Sequence, residues 1–156
     1  DLLRKKVVVA PDFRVYLLKN MHDKFRKLDD LMQHPMKTFI FCDWIPLGKR
    51  IAKRYDIPFV YHDVKNERIE MLEKAETAVV SRVGDEGISM KNLERIIEFA
   101  FMGRSRMQES QRFGRLMHSV KGKGSHIILM TEDEFEAYQR RLLAISERGF
   151  NIEYIR

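Results

Sequence analysis

Apolar residues recur along this chain with two different periods, and the switching between them predicts the architecture. Residues 7–10, Val-Val-Val-Ala, form a β-prone segment stopped by Pro11, and Asp12 reads as the N-cap of the helix that follows. In that helix Met21, Phe25, Leu28 and Met32 return at helical spacing until His34-Pro35 ends it. Residues 39–42, Phe-Ile-Phe-Cys, are a continuous apolar run of the kind that fills a strand buried on both faces. A helix over 46–54 opens on Pro46, where a missing N–H does no harm, and turns Leu47, Ile51 and Ala52 inward. Residues 59–61 predict a short strand, 66–75 a helix with Ile69 and Leu72 on one side, and the β-branched 77–83 another strand.

The stretch 84–92 has two glycines and an acidic pair without apolar period, and reads as a loop. Residues 95–101 then predict a strand, 105–119 a helix and 125–130 a strand. The last helix starts at Thr131 or Glu132, sets Phe135, Tyr138, Leu142 and Ile145 inward, and closes at Gly149 as C′ residue; 150–155 is a final strand. Short strands alternating with helices of about ten residues imply βαβ crossovers. The expected fold is a single α/β domain with a largely parallel sheet and helices on both faces.

Composition narrows this little. The chain has 156 residues, enough for one domain with a sizeable core, and its 33% charged content suits a globular protein. The formal net charge of +6 is compatible with a polyanionic partner without establishing one. Cys42, the single cysteine, rules out an internal disulfide and sits in an apolar run, where a buried inert thiol is expected. No apolar run reaches membrane-spanning length, and the expected partners do not include a membrane. The five histidines show no ligand spacing with Cys42 or with one another, so no metal site is expected.

The chemistry concentrates in residues 105–119, SRMQESQRFGRLMHS. Arg104, Arg106, Arg112 and Arg115 crowd within about one helix; Gln108, Gln111 or Arg112, and Arg115 share a polar face, opposite Met107, Phe113 and Met117. Guanidinium is suited to bidentate contact with phosphate. In open parallel sheets ligands gather at the carboxyl ends of the strands. Asp43 and Trp44, then residues 81–85, then 102–105 all fall at such ends, on the edge from which the arginine-bearing segment departs. No phosphate-cradling G-x-x-x-x-G-K-[ST] loop is present.

Taken together, FIFCD, IPFVYH, ERIEML, VVSRVGDEGISM, GRSRMQESQRFGR and EDEFEAYQRRLLAISERGFNIEYI resemble the second RecA-like motor lobe of superfamily 2 helicases. More narrowly they resemble the xeroderma pigmentosum group B type of DNA-repair helicase, archaeal relatives included, over residues 24–155. The resemblance implies a RecA-like three-layer α/β/α fold, with 1–35 as lead-in strand and helix and 36–156 as motor lobe. It implies ATP as cofactor, with Mg2+ held mainly by an N-terminal lobe of the same protein. Arg115 then matches an arginine finger, with Arg112 and His118 beside it. Gln111, Asp85, Gly87 and Ser89 would lie on the nucleotide side, and Asp43, Trp44, Ser81, Arg82 and Gly84 near the DNA backbone.

The implied partners are DNA, the N-terminal lobe, and subunits of a repair nuclease or transcription-repair complex. The implied location is the cytoplasm in an archaeon or the nucleus in a eukaryote. His118 stands where the family pattern has a second arginine, and Ser89 where motif V has Asp. These two departures keep open a second expectation, a degenerate lobe that binds DNA or docks proteins without catalysis.

Overall fold

The computed structural model describes residues 13–61, 66–81, 93–100, 125–147 and 149–156. Seven strands and four helices are described. They are β1 (Phe13–Leu18), α1 (Met21–Met32), β2 (Thr38–Cys42), α2 (Ile45–Tyr55), β3 (Phe59–Val60), α3 (Asn66–Lys74), β4 (Thr77–Val80), β5 (Arg95–Ala100), β6 (Ser125–Thr131), α4 (Glu132–Glu147) and β7 (Ile152–Ile155). The strands form one sheet in the order β3-β4-β2-β5-β6-β1-β7. Every pairing is parallel. Return connections therefore cross a face of the sheet, and the central strands β2, β4 and β5 are buried at every position. This is why residues 39–42 carry an unbroken apolar run.

Successive residues in a strand point to opposite faces, and the core divides accordingly. One face carries Ile40, Cys42, Val79, Ile97, Phe99, Ile127 and Leu129 under α1 (Phe25, Leu28) and α2 (Leu47, Ile51). The other carries Phe39, Phe41, Ala78, Val80 and Ile96 under α3 (Leu72), and Phe13, Val15, Ile128 and Met130 under α4 (Leu142). The expected three-layer α/β/α arrangement is present, with α1 and α2 in one layer and α3 and α4 in the other. The backbones of Ile69 and Ile145 lie in α3 and α4 as expected; their side chains lie outside the described residues.

One expectation is overturned. The segment after Asp12 is a strand, β1, whose Phe13 and Val15 point into the core while Arg14 and Tyr16 are half-buried. The N-cap of α1 is Asn20, in extended backbone at φ −157°, whose Oδ1 accepts the Asp23 N–H at 2.9 Å. The strand expected at 7–10 lies outside the described residues, as do the loop 84–92 and the helix over 105–119. The remaining elements fall within a few residues of their expected bounds. Gly149 closes α4 at φ +98°, a left-handed conformation that a side chain would strain, and its N–H bonds Ser146 O at 2.9 Å.

Candidate functional site

Parallel register brings the carboxyl ends of the strands to one edge. Phe41 pairs with Val80, and Cys42 with Ala100 after an irregularity in β2. Because β4, β2 and β5 are neighbours, Ser81, then Asp43 and Trp44, then Ala100 stand along one edge. The three strand ends adjoin as expected; residues 82–85, 102–105 and the arginine-bearing segment lie outside the described residues.

Their surroundings differ. Trp44 is 50% exposed and serves as N-cap of α2 through its backbone, its carbonyl accepting Gly48 N–H at 2.9 Å and Cys42 Sγ at 3.3 Å. An exposed indole at such an edge can stack on a base or lie against a sugar. Ser81 is only 4% exposed, and its N–H donates to Val60 O at 3.1 Å, so it orders the strand end from below the surface. Asp43 is half-buried between them. Arg82, Gly84, Asp85, Gly87, Ser89, Gln111, Arg112, Arg115 and His118 lie outside the described residues. Burial pushes the Cys42 thiol up to about 11, which makes it the inert buried thiol expected.

The structure adds one feature to this edge that sequence reasoning missed. Lys24, in the first turn of α1, is fully buried. Its Nζ donates to the carbonyl of Phe99, near the end of β5, and to Glu134 Oε1 at 2.8 Å, in the first turn of α4. The same Oε1 accepts Thr131 N–H at 2.9 Å while Thr131 Oγ1 accepts Glu134 N–H at 3.2 Å, a reciprocal capping box. One carboxylate thus starts α4 and neutralises a buried ammonium. The pair ties both helical layers to β5 and β6, between which the arginine-bearing segment runs in sequence. Desolvation lowers the Lys24 pKa from the ordinary lysine value, and attraction to Glu134 works against that. The only signal in the sequence was a lysine at an inward position, three residues after Met21 and four before Leu28.

A second buried polar pair lies on the α3/α4 face. Glu98 and His126, on neighbouring strands, are both fully buried with Nε2 to Oε2 at 3.6 Å, and the Phe13 ring sits 4.5 Å from the imidazole. An open groove of about 710 Å³ lies between α4 and β7, lined by Phe135, Arg140, Leu143 and Tyr154 among others. Among the described residues no three of His, Cys, Asp and Glu come together as metal ligands, and no helix is long and apolar enough to cross a membrane.

An all-parallel seven-stranded sheet sandwiched between two helical layers is the fold of a RecA-like lobe. Solved helicase structures share this fold. The C-lobe of Escherichia coli SrmB in its complex with RraA superposes with a TM-score of 0.69 at 19% identity, covering 95% of this chain and 91% of that one. Saccharomyces cerevisiae Dbp5 bound to RNA and ADP BeF3 superposes at 0.75 with 14% identity, covering 93% of this chain and 41% of that one.

Residues 11–148 match the ERCC3/RAD25/XPB C-terminal helicase model, and the chain belongs to that family. The Rad25 DNA helicase of Haloarcula marismortui is 35% identical over 118 residues, 69% of this chain and 19% of that protein. The XPB helicase/translocase subunit of general transcription and DNA repair factor IIH of Danio rerio is 28% identical over 149 residues, 88% of this chain and 18% of that protein. The chain therefore spans about a fifth of the length of these relatives.

Proposed function

We propose that this chain is the C-terminal motor lobe of an ATP-dependent DNA helicase or translocase that works in repair or transcription, and that it is no ATPase by itself. The observation that carries the reading is the alignment of the β4, β2 and β5 ends at one edge in a member of this helicase family. An N-terminal lobe of the same protein would hold ATP and most of the coordination of its Mg2+. This lobe would close over the nucleotide with Gln111, Asp85, Gly87 and Ser89. Arg115, supported by Arg112 and His118, would stabilise charge developing on the transferred phosphoryl group. Asp43, Trp44, Ser81, Arg82 and Gly84 would face the DNA; because Ser81 is buried, its share is to hold the strand end that carries the others. Contacts to phosphate and sugar carry little sequence preference. Further partners would be subunits of a transcription-repair complex or a repair nuclease, in the nucleus of a eukaryote or the cytoplasm of an archaeon.

In a protein carrying both lobes, Arg115→Ala is expected to cut DNA-stimulated ATP turnover by about 10³-fold or more while the chain alone shows none. Near-normal turnover in that variant, or robust turnover by the chain alone, would refute the assignment. A second reading rests on His118 and Ser89, which depart from the family pattern: a non-catalytic lobe that binds DNA or docks proteins. A two-lobe protein without DNA-stimulated turnover would favour it.

A further inference from the structure

Outside the candidate edge, α2 presents a basic outer face. This helix, IPLGKRIAKRY, has four cations and no carboxylate. Its inner side is fixed by Leu47 and Ile51 in the core and by Gly48, where a Cβ would lie 2.4 Å from the Phe59 ring, so α2 sits close on β3. That seating leaves Lys49, Arg50 and Lys53 exposed on the outer side. Lys49 and Arg50 rest against rings, 5.4 Å from the Tyr61 centroid and 4.9 Å from that of Phe25.

Four other cations, one of them on α2 itself, are committed to structure. Lys24 is paired with Glu134, Arg54 is bidentate to Asp29 at 2.9 and 2.6 Å, Lys37 caps α3 through the carbonyls of Leu72, Glu73 and Ala75, and Arg95 holds Leu31 O at 2.7 Å. Lys49, Arg50 and Lys53 have no carboxylate partner among the described residues. They follow directly on exposed Trp44, so the basic face begins at the candidate DNA edge and descends one side of the domain. The opposite layer has the reverse character: α4 carries five carboxylates against two arginines.

We propose that Lys49, Arg50 and Lys53 bind the sugar-phosphate backbone of duplex DNA, extending the DNA contact from Trp44 along the outer face of α2. The proposal rests on the nucleic-acid part of the function proposed above. Its basis is charge complementarity: duplex DNA carries one negative charge per about 1.7 Å of axis, and Lys49 to Lys53 span about 6 Å of helix. The contact has no sequence preference and is strongly salt-dependent, because it works by releasing counterions.

The test measures fluorescence anisotropy of a short labelled duplex with the chain at several salt concentrations and without nucleotide. The triple variant Lys49→Gln/Arg50→Gln/Lys53→Gln, with unchanged circular dichroism and melting, is compared with Asp133→Asn/Glu136→Gln on α4. The α2 variant is expected to bind about tenfold or more weakly at low salt, its slope of log affinity against log salt shallower by up to about 2.7. The α4 variant should bind as tightly as the parent or tighter. An unaltered slope in the α2 variant would overturn the proposal, as would a polyglutamate peptide that binds this face while DNA does not. Absence of salt-sensitive binding by the unmodified chain would also overturn it. That last result would leave the motor reading standing, since a two-lobed track needs both lobes and is read by turnover of Arg115→Ala.

Discussion

The two helical layers solve the same problem inward and differ outward. Each lays an apolar stripe on the sheet: Phe25, Leu28, Leu47 and Ile51 on one face, Leu72 and Leu142 on the other. Outward, α1 carries three acidic side chains and, Lys24 being buried, two basic ones, and α2 four cations without a carboxylate, whereas α3 and α4 are rich in glutamate. Packing requires only the inner stripe, so the outer charge is free to serve something else. A net charge of +6 conceals the difference, because it averages a basic side with an acidic one. Composition reports how much charge there is, while topology decides where it is displayed.

Lys24 and Glu134 join the two layers across the end of the sheet, and breaking them should give the largest stability change. Glu134→Gln keeps an acceptor oxygen but takes the compensating charge from a fully buried ammonium, and removal of one partner from a buried pair costs about 3–5 kcal/mol. Lys24→Met removes the buried charge itself and leaves Glu134, 21% exposed by side chain, with water and the Thr131 N–H. It should cost less, and the double variant should be more stable than Glu134→Gln alone; urea denaturation of the three reads the order. The pH dependence has a definite sign. The folded Lys24 pKa lies below the unfolded value, so between the two only the unfolded chain holds the proton, and stability rises with pH in that window. This rise should vanish in Lys24→Met. Equal losses from both single variants would show that the buried charge is not the controlling feature.

Much of the layer structure was legible because it depends on local pattern. The unbroken apolar run of β2 announced a strand covered on both faces, Pro46 marked the start of α2, Thr131 or Glu132 that of α4, and Gly149 the C′ position. The missed strand β1 shows how two local signals compete. Phe13 and Val15 alternate as a half-covered strand should, yet Pro11-Asp12 just before them imitates a helix start, and the helical spacing from Met21 onward extended that reading backward. The strand-end rule located Asp43, Trp44 and Ser81, but it could not reveal that Ser81 is buried, since this depends on β3 lying beside β4. Lys24 and Glu134 are 110 residues apart, and no periodicity links them.

The seating of α2 offers a milder way to sharpen the contrast. Gly48→Ala gains about 1 kcal/mol of helix propensity and places a Cβ inside contact distance of the Phe59 ring, where overpacking costs about 1–3 kcal/mol. The expected outcome is a small net destabilisation, with α2 pushed from β3. Adding Phe59→Ala should then convert Gly48→Ala from destabilising to neutral or stabilising, a coupling that a double-mutant cycle measures. If Gly48→Ala stabilised the parent chain, the close approach of α2 to β3 would not be what holds the basic face outward.

The smallest effect is expected within the basic layer, at Asp29. Arg54 grips this carboxylate with two hydrogen bonds and the Tyr55 hydroxyl donates a third, and the Arg54 hydrogen bonds, foremost, hold it below the usual carboxylate range. A depressed carboxyl pKa means that the unfolded chain takes up the proton first as pH falls. The contribution to stability is therefore complete above the unfolded carboxylate value and disappears as pH drops through the lower, folded one. The site is exposed and screened by salt, so the effect should be slight, and smaller still at high ionic strength. Thermal melts of the parent and Asp29→Asn should differ at neutral pH and converge in acid. A gap that persisted in acid would show that Asp29 acts through packing rather than charge. Arg54 would then count with Lys49, Arg50 and Lys53 as a fourth uncommitted cation of the α2 face.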